Sequence, residues 1–140
     1  MQQEAIAGTL APNDVTDVNP SWAWAAGSGG ISTATDLKTL GEALVNGKLL
    51  DAELQQKRLE TVTPTNPDKP DGASYGLGGI AKFGNLFGHT GELPGFNTFM
   101  GSDPINSVTL VVWTNLAPTA DGRDPAVIIA RSLIGKIYRP

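Results

Sequence analysis

The sequence predicts an α+β fold, an antiparallel sheet flanked by helices, and three observations carry that expectation. Strand-like segments follow one another from residue 74 onward, with connections too short for a helical crossover, so sequential neighbours must run antiparallel. Stretches of helical period lie outside this run, two before it and one after. Seventeen glycines and ten prolines in 140 residues, roughly a fifth of the chain against about 12% in an average domain, supply the turns.

Residues 1–20 are polar, broken by Pro12-Asn13-Asp14 and Asn19-Pro20, and read as an extended arm without a hydrophobic period of its own. Residues 21–140 carry the rest of a single domain, or of part of one, since 140 residues suffice for one core but not two. Trp22, Trp24 and Ile31 flank a glycine-rich run at 26–30, and the three tryptophans, Trp113 included, read as packing residues. A helix is expected over 33–46: Thr33 is a capping residue, Asp36 follows three positions on, Leu37, Leu40 and Leu44 share a face, and Asn46-Gly47 ends it. A shorter helix follows over 51–59, then a Pro- and Asp-rich loop over 61–72.

Four strands are expected next, at 75–81, 86–91, 96–102 and 108–115, separated by Gly-Asn, Pro-Gly and Asp-Pro-Ile-Asn turns. In the last of them Val108, Leu110 and Val112 alternate with Thr109, Val111 and Trp113, an apolar pattern on both faces that predicts cover on two sides. Asp124 caps a final helix that Pro125 begins. There Ala126, Ile129, Ala130, Leu133, Ile134 and Ile137 form the stripe expected to lie on the sheet.

Composition excludes much chemistry. With no cysteine there is no thiol nucleophile and no thiolate metal site, and with His89 as the single histidine no multi-imidazole zinc site forms within one chain. No cofactor and no metal are expected. A net charge of −4 with scattered Lys and Arg gives no footprint for nucleic acid or an anionic membrane surface. No apolar run reaches the roughly 20 residues of a membrane span, and residues 1–4 lack the features of a signal peptide.

His89-Thr90-Gly91, with Pro94-Gly95-Phe96 just beyond, resembles the third box of the serine β-lactamase and penicillin-recognising hydrolases, where Lys-Thr-Gly or His-Thr-Gly lies on the strand edging the site. Three further segments resemble that family in the same order: 26–37 with its Gly-Gly, Ser-Thr and Asp-Leu; Tyr75-Gly76-Leu77-Gly78-Gly79; and Val111-Val112-Trp113-Thr114-Asn115. The resemblance covers residues 24–140 and implies a partial β-lactamase/transpeptidase-like fold. It also implies acyl-enzyme chemistry on a β-lactam, a D-amino-acid peptide or an ester, and export or a periplasmic location for the parent protein.

It further implies roles at the site. His89, in the place often held by lysine, supplies a donor near the catalytic tyrosine. Thr90 helps bind the carboxylate or amide of a small-molecule or peptide acyl substrate, and Gly91 keeps the strand open to it. The backbone N–H of Glu92 forms half of an oxyanion hole, while Gly95 and Phe96 line the substrate strand. A strand with small residues beside a turn suits such a task, because an extended substrate adds alongside it while amides point at its carbonyl. Glu92 departs from the small residues common at its position, and its carboxylate disfavours anionic substrates.

The family's nucleophile is missing from the sequence. None of Ser21, Ser28, Ser32, Ser74, Ser102, Ser107 and Ser132 has lysine three residues later, and neither Tyr75 nor Tyr138 opens a Tyr-x-Asn box. Covalent acyl transfer needs both a nucleophile and its base. The expectation is therefore a C-terminal piece of a serine hydrolase, inactive alone, that self-associates or pairs with the missing N-terminal region. The alternative is a non-catalytic binding or scaffolding module derived from the same fold. A self-contained triad of Ser28, His89 and one of Asp36, Asp68 or Asp71 fits poorly, since Ala26 stands where the nucleophile elbow needs glycine. Read without neighbours, His89 is a structural histidine, Gly91 and Gly95 are turn glycines and Asp36 is a cap.

Overall fold

The computed structural model describes residues 3–4, 13–15, 17, 30–68 and 73–138. Two strands, β1 (Gln3–Glu4) and β2 (Asn13–Asp14), pair antiparallel within the arm. Helices α1 (Ala34–Val45) and α2 (Ala52–Glu60) precede six strands: β3 (Thr63–Pro64), β4 (Ser74–Tyr75), β5 (Ala81–Phe83), β6 (Leu86–Leu93), β7 (Phe96–Ser102) and β8 (Thr109–Thr114). Helix α3 (Pro125–Tyr138) closes the chain. The six strands form one open antiparallel sheet in sequence order, β3 to β8, so the fold is α+β as expected. Contacts divide the chain into two compact units, one of residues 1–33, 90–99 and 112–140, the other of 34–89 and 100–111.

In the second unit the loop after α1 explains how the two helices meet. The backbone N–H groups of Asn46 and Lys48 donate to the carbonyls of Glu42 and Ala43, and Gly47, at φ +68°, turns the chain out of the helix. Asp51 then caps α2, accepting from Leu54 N at 2.8 Å. Gln55, buried in α2, donates through Nε2 to the carbonyls of Leu44 (2.9 Å) and Val45 (3.2 Å), and Arg58 adds a bond to Leu44. Carbonyls that end α1 without a helical partner are thereby satisfied by side chains of α2.

Helix α1 docks through its glycine rather than through its leucines. A Cβ on Gly41 would lie 2.9 Å from Ser102 Oγ and 3.4 Å from Met100 Sδ, so the bare backbone sits against β7 with Val45 buried one turn on. Leu40, expected on the buried face with Leu37 and Leu44, is instead 44% exposed, because the close approach is made at the position beside it. Lys38 pairs with Glu42 at 2.7 Å, and its hydrogen bond holds the Glu42 carboxyl below the usual range.

The single strand expected over 75–81 is two strands. Gly78 (φ +68°) and Gly79 (φ +70°) are both left-handed, so the chain turns through a 3-10 segment at Leu77–Gly79 and β5 comes back beside β4, with Tyr75 opposite Ala81. Thr61 receives Leu77 N on its hydroxyl (3.1 Å), and β3 arises inside the stretch expected to be loop, Thr63 pairing with Tyr75. The next turn is as expected: Gly84-Asn85 links β5 to β6 in a two-residue hairpin with Phe83 opposite Leu86. Between β7 and β8, the buried Asp103 accepts from Ile105 N, Asn106 N and Asn106 Nδ2 at 2.7 to 3.1 Å, which orders the loop.

In the first unit, α3 is held by Asn97 of β7. This residue is 1% exposed, and its Oδ1 accepts from Ala126 N (2.9 Å), where the first turn of a helix has no internal partner. Ala126 and Ala130, one turn apart, are fully buried, as is Phe99 of β7. The expected stripe on α3 is therefore narrower than its apolar residues suggest, and Ile129, Leu133 and Ile137 remain 37 to 47% exposed. Strand β8 likewise lacks the two-sided cover its sequence predicts: its residues are half-buried and Trp113 is 51% exposed.

The tightest backbone approach is at Gly88, where a Cβ would lie 1.9 Å from the carbonyl oxygen of Met100 and 2.7 Å from Gly101 Cα. Both are main-chain atoms that no rotamer change can move aside. Gly88→Ala is expected to destabilise the chain by about 3 kcal/mol or more. Urea denaturation followed by circular dichroism checks this, and a midpoint unchanged from wild type would refute it.

Candidate active site

The triplet expected to carry chemistry lies within β6, an eight-residue strand that enters from the Gly84-Asn85 turn and leaves through Pro94-Gly95. Its first member belongs to the second unit. His89 is exposed, and its ring stands edge-on to Tyr75 with centroids 5.7 Å apart and planes at 70°. Tyr75, Ala81 and Gly88 form one row across β4, β5 and β6, and His89 is the next residue along. One position earlier, Phe87 lies under Lys82, whose Nζ is 5.1 Å from the ring centroid.

The rest of the triplet belongs to the first unit. Thr90 and Gly91 are half-buried, and the Gly91 carbonyl accepts from Asn97 Nδ2 (3.2 Å) and Thr98 Oγ1 (3.3 Å). A Cβ on Gly91 would lie 2.6 Å from Thr98 Oγ1, so any larger residue there must displace the threonine hydroxyl that bonds to the Gly91 carbonyl. Asn97 is a residue the sequence reading passed over. It joins the Gly91 carbonyl to the first turn of α3, and nothing in its immediate sequence, which also holds Thr98 and Ser102, marks that role.

Beyond the triplet, Glu92 is exposed and forms one wall of an open depression of about 250 Å³, the others being Leu93, Pro94, Ala117 and Pro118. Gly95 is buried at φ +78° and donates its N–H to the Ala117 carbonyl (3.3 Å), which ties the turn to the chain after β8. Phe96 is 39% exposed at the start of β7. All six expected site residues therefore lie on β6, the Pro94-Gly95 turn or the first position of β7. Ser28 and Asp71 of the self-contained triad, and Trp22 and Trp24, lie outside the described residues. Among the described residues, no group of three or more acidic or histidine side chains is placed to hold a metal ion, and no helix is long and apolar enough to cross a membrane.

Residues 2–133 match the protein family described as Beta-lactamase. The chain belongs to that family. Among solved structures it is similar to a D-stereospecific amidohydrolase from Streptomyces sp., at 25% identity and a TM-score of 0.65 over 93% of this chain and 38% of that one. It shares its fold with the D-amino acid amidase from Ochrobactrum anthropi SV3, solved with L-phenylalanine amide and with D-phenylalanine. There the identity is 20%, the TM-scores are 0.60 and 0.59, and coverage is 76 and 78% of this chain against 32 and 33% of the amidase. The chain thus spans between a third and two fifths of the length of the solved relatives it matches. No match is found among curated proteins.

Proposed function

We propose that this chain supplies the His-Thr-Gly strand of a serine acyl-transfer site whose substrates are acyl compounds of the amide type, D-amino-acid amides or peptides foremost, with β-lactams and esters as the wider class. The observation that carries the reading is the placement of His89, Thr90 and Gly91 on a strand ending in a tight turn, in a chain of this family. Its likeness to a D-stereospecific amidohydrolase over 93% of its length supports amides over the other acyl classes. In this reading His89 donates a hydrogen bond toward the reacting centre and the Thr90 hydroxyl binds the substrate. Gly91 leaves room for it, and the Glu92 N–H stabilises the oxyanion. Gly95 and Phe96 shape the substrate strand, and Glu92 disfavours substrates carrying a carboxylate near the bond that is cut. Residues 21–140 make up the C-terminal portion of the β-lactamase/transpeptidase-like domain, with residues 1–20 as an extended arm.

The sequence holds no Ser-x-x-Lys and no Tyr-x-Asn, so the nucleophile and its base come from a preceding region, and the chain alone is inactive. The alternative, a binding module without catalysis, draws on that same absence. Incubation with a fluorescent penicillin and with D-phenylalanine p-nitroanilide separates them. The isolated chain is expected to show neither labelling nor turnover, and addition of the N-terminal portion of a matching family member is expected to restore both. Turnover by the isolated chain would refute the division of the site. Failure of any complement to restore labelling favours the binding module. In the restored enzyme Thr90→Val should lower the acylation rate by about tenfold or more, since an oxygen that assists the transition state becomes a methyl of similar shape.

No partner in the nucleic-acid class is proposed. The exposed row Ile129, Leu133 and Ile137 and the edge of β8, which among the described residues has no further strand beside it and carries no charge over its six residues, are apolar surfaces that water disfavours. We therefore expect self-association of the chain at micromolar concentration, or pairing with the upstream region where that is present. Light scattering checks this, and a monomer that binds no apolar dye would refute it.

A further inference from the structure

The geometry points to Tyr75 as the positioning residue of His89, acting through its ring and not through its hydroxyl. This rests on the acyl-transfer reading of the His-Thr-Gly strand for its meaning, though the contact itself does not.

His89 is exposed on β6, and the rotamers of its two side-chain torsions aim the two ring nitrogens in different directions. A donor in an acyl-transfer site has to aim one nitrogen in one direction, and loss of aim costs rate steeply. The ring of Tyr75 is the aromatic surface that meets the imidazole, at 5.7 Å between centroids and 70° between planes. Such T-shaped contacts are directional, because the positive edge of one ring seeks the negative face of the other.

Tyr75 itself is held. Its backbone pairs with Thr63 on one side and Ala81 on the other, and the next residue, Gly76, donates to the Ile80 carbonyl at 2.8 Å. A Cβ on Gly76 would meet Val62 Cγ2 at 2.8 Å and the Arg58 carbonyl at 2.9 Å, so the turn packs against the end of α2 with no slack. Across the sheet Tyr75 stands opposite Ala81 and Ala81 opposite Gly88, so His89 lies one residue along β6 from the end of that row. The paired strands, the two left-handed glycines and the fixed turn hold the backbone from which the Tyr75 ring meets the imidazole.

His89 is the sole histidine, so its ring resonances in the 140-residue chain need no assignment against others. Proton NMR of the wild type is expected to show nuclear Overhauser effects between the Tyr75 and His89 rings, together with imidazole shifts displaced by the tyrosine ring current. Tyr75→Phe keeps the ring and should keep both signals. Tyr75→Leu should abolish the cross-peaks and move the imidazole resonances toward those of a free histidine, while the amide resonances of Leu86 and Gly88 stay in place. Absence of the ring-to-ring cross-peaks in wild type, or unchanged imidazole shifts in folded Tyr75→Leu, overturns the proposal. In the enzyme restored with its upstream region, Tyr75→Leu should lower kcat by about tenfold with KM unchanged, and Tyr75→Phe should restore it, a loss short of the roughly 100-fold that a 1 Å misplacement costs. Equal kcat in wild type and Tyr75→Leu overturns the role in the reaction. If no upstream region restores activity, the acyl-transfer reading fails while the NMR result still decides whether Tyr75 orients His89.

Discussion

Much of the structure depends on how closely β6 and β7 lie at Gly88. No side chain fits there, since the Met100 carbonyl and Gly101 Cα occupy the space a Cβ would need. That approach fixes the start of the strand that carries His89, and through the register it also places Ala81 and Tyr75. A residue of any size at 88 would push the strands apart and disturb the pairing on which every site position on β6 is built. Glycine is a costly residue inside a strand, because its unfolded state is so free. The cost is accepted here for proximity, and the same holds at Gly41, where α1 comes against Met100 and Ser102.

Local signals in the sequence were legible where the chemistry of one or two residues decides the outcome. Asp51 caps α2, Gly84-Asn85 makes a hairpin, Gly95 turns β6 into β7 and Pro125 opens α3, all at the positions their residue types indicate. The strand over 96–102 has the bounds expected of it. Long-range facts were not legible. Alternation over 75–81 looks like one strand, and only the paired left-handed conformations of Gly78 and Gly79 break it. Apolar spacing on α3 marks six residues for the sheet, yet of these only Ala126 and Ala130 are fully buried, while Ile129, Leu133 and Ile137 stay more than a third exposed. Periodicity reports which residues are apolar. It does not report which of them are buried.

The site shows the same division. His89, Thr90, Gly91 and Glu92 are consecutive, so a short motif is enough to propose them, whereas the contacts that hold that stretch come from elsewhere in the chain. Asn97 and Tyr75 have no local signature of a role. Each becomes visible only when the strands are paired, Asn97 because its amide bridges the Gly91 carbonyl and the first turn of α3, Tyr75 because its ring meets the His89 imidazole. A strand that presents chemical groups is in this sense assembled by residues that present none.

The uneven burial of α3 has a practical consequence. Burial is complete on one line of the helix, at 126 and 130, while the bulky residues at 129, 133 and 137 keep 37 to 47% of their surface exposed. The two lines answer to different demands, one to fit and the other to compatibility with water. Charged residues introduced along the outer line can therefore improve handling in concentrated solution while the inner line is left as it is.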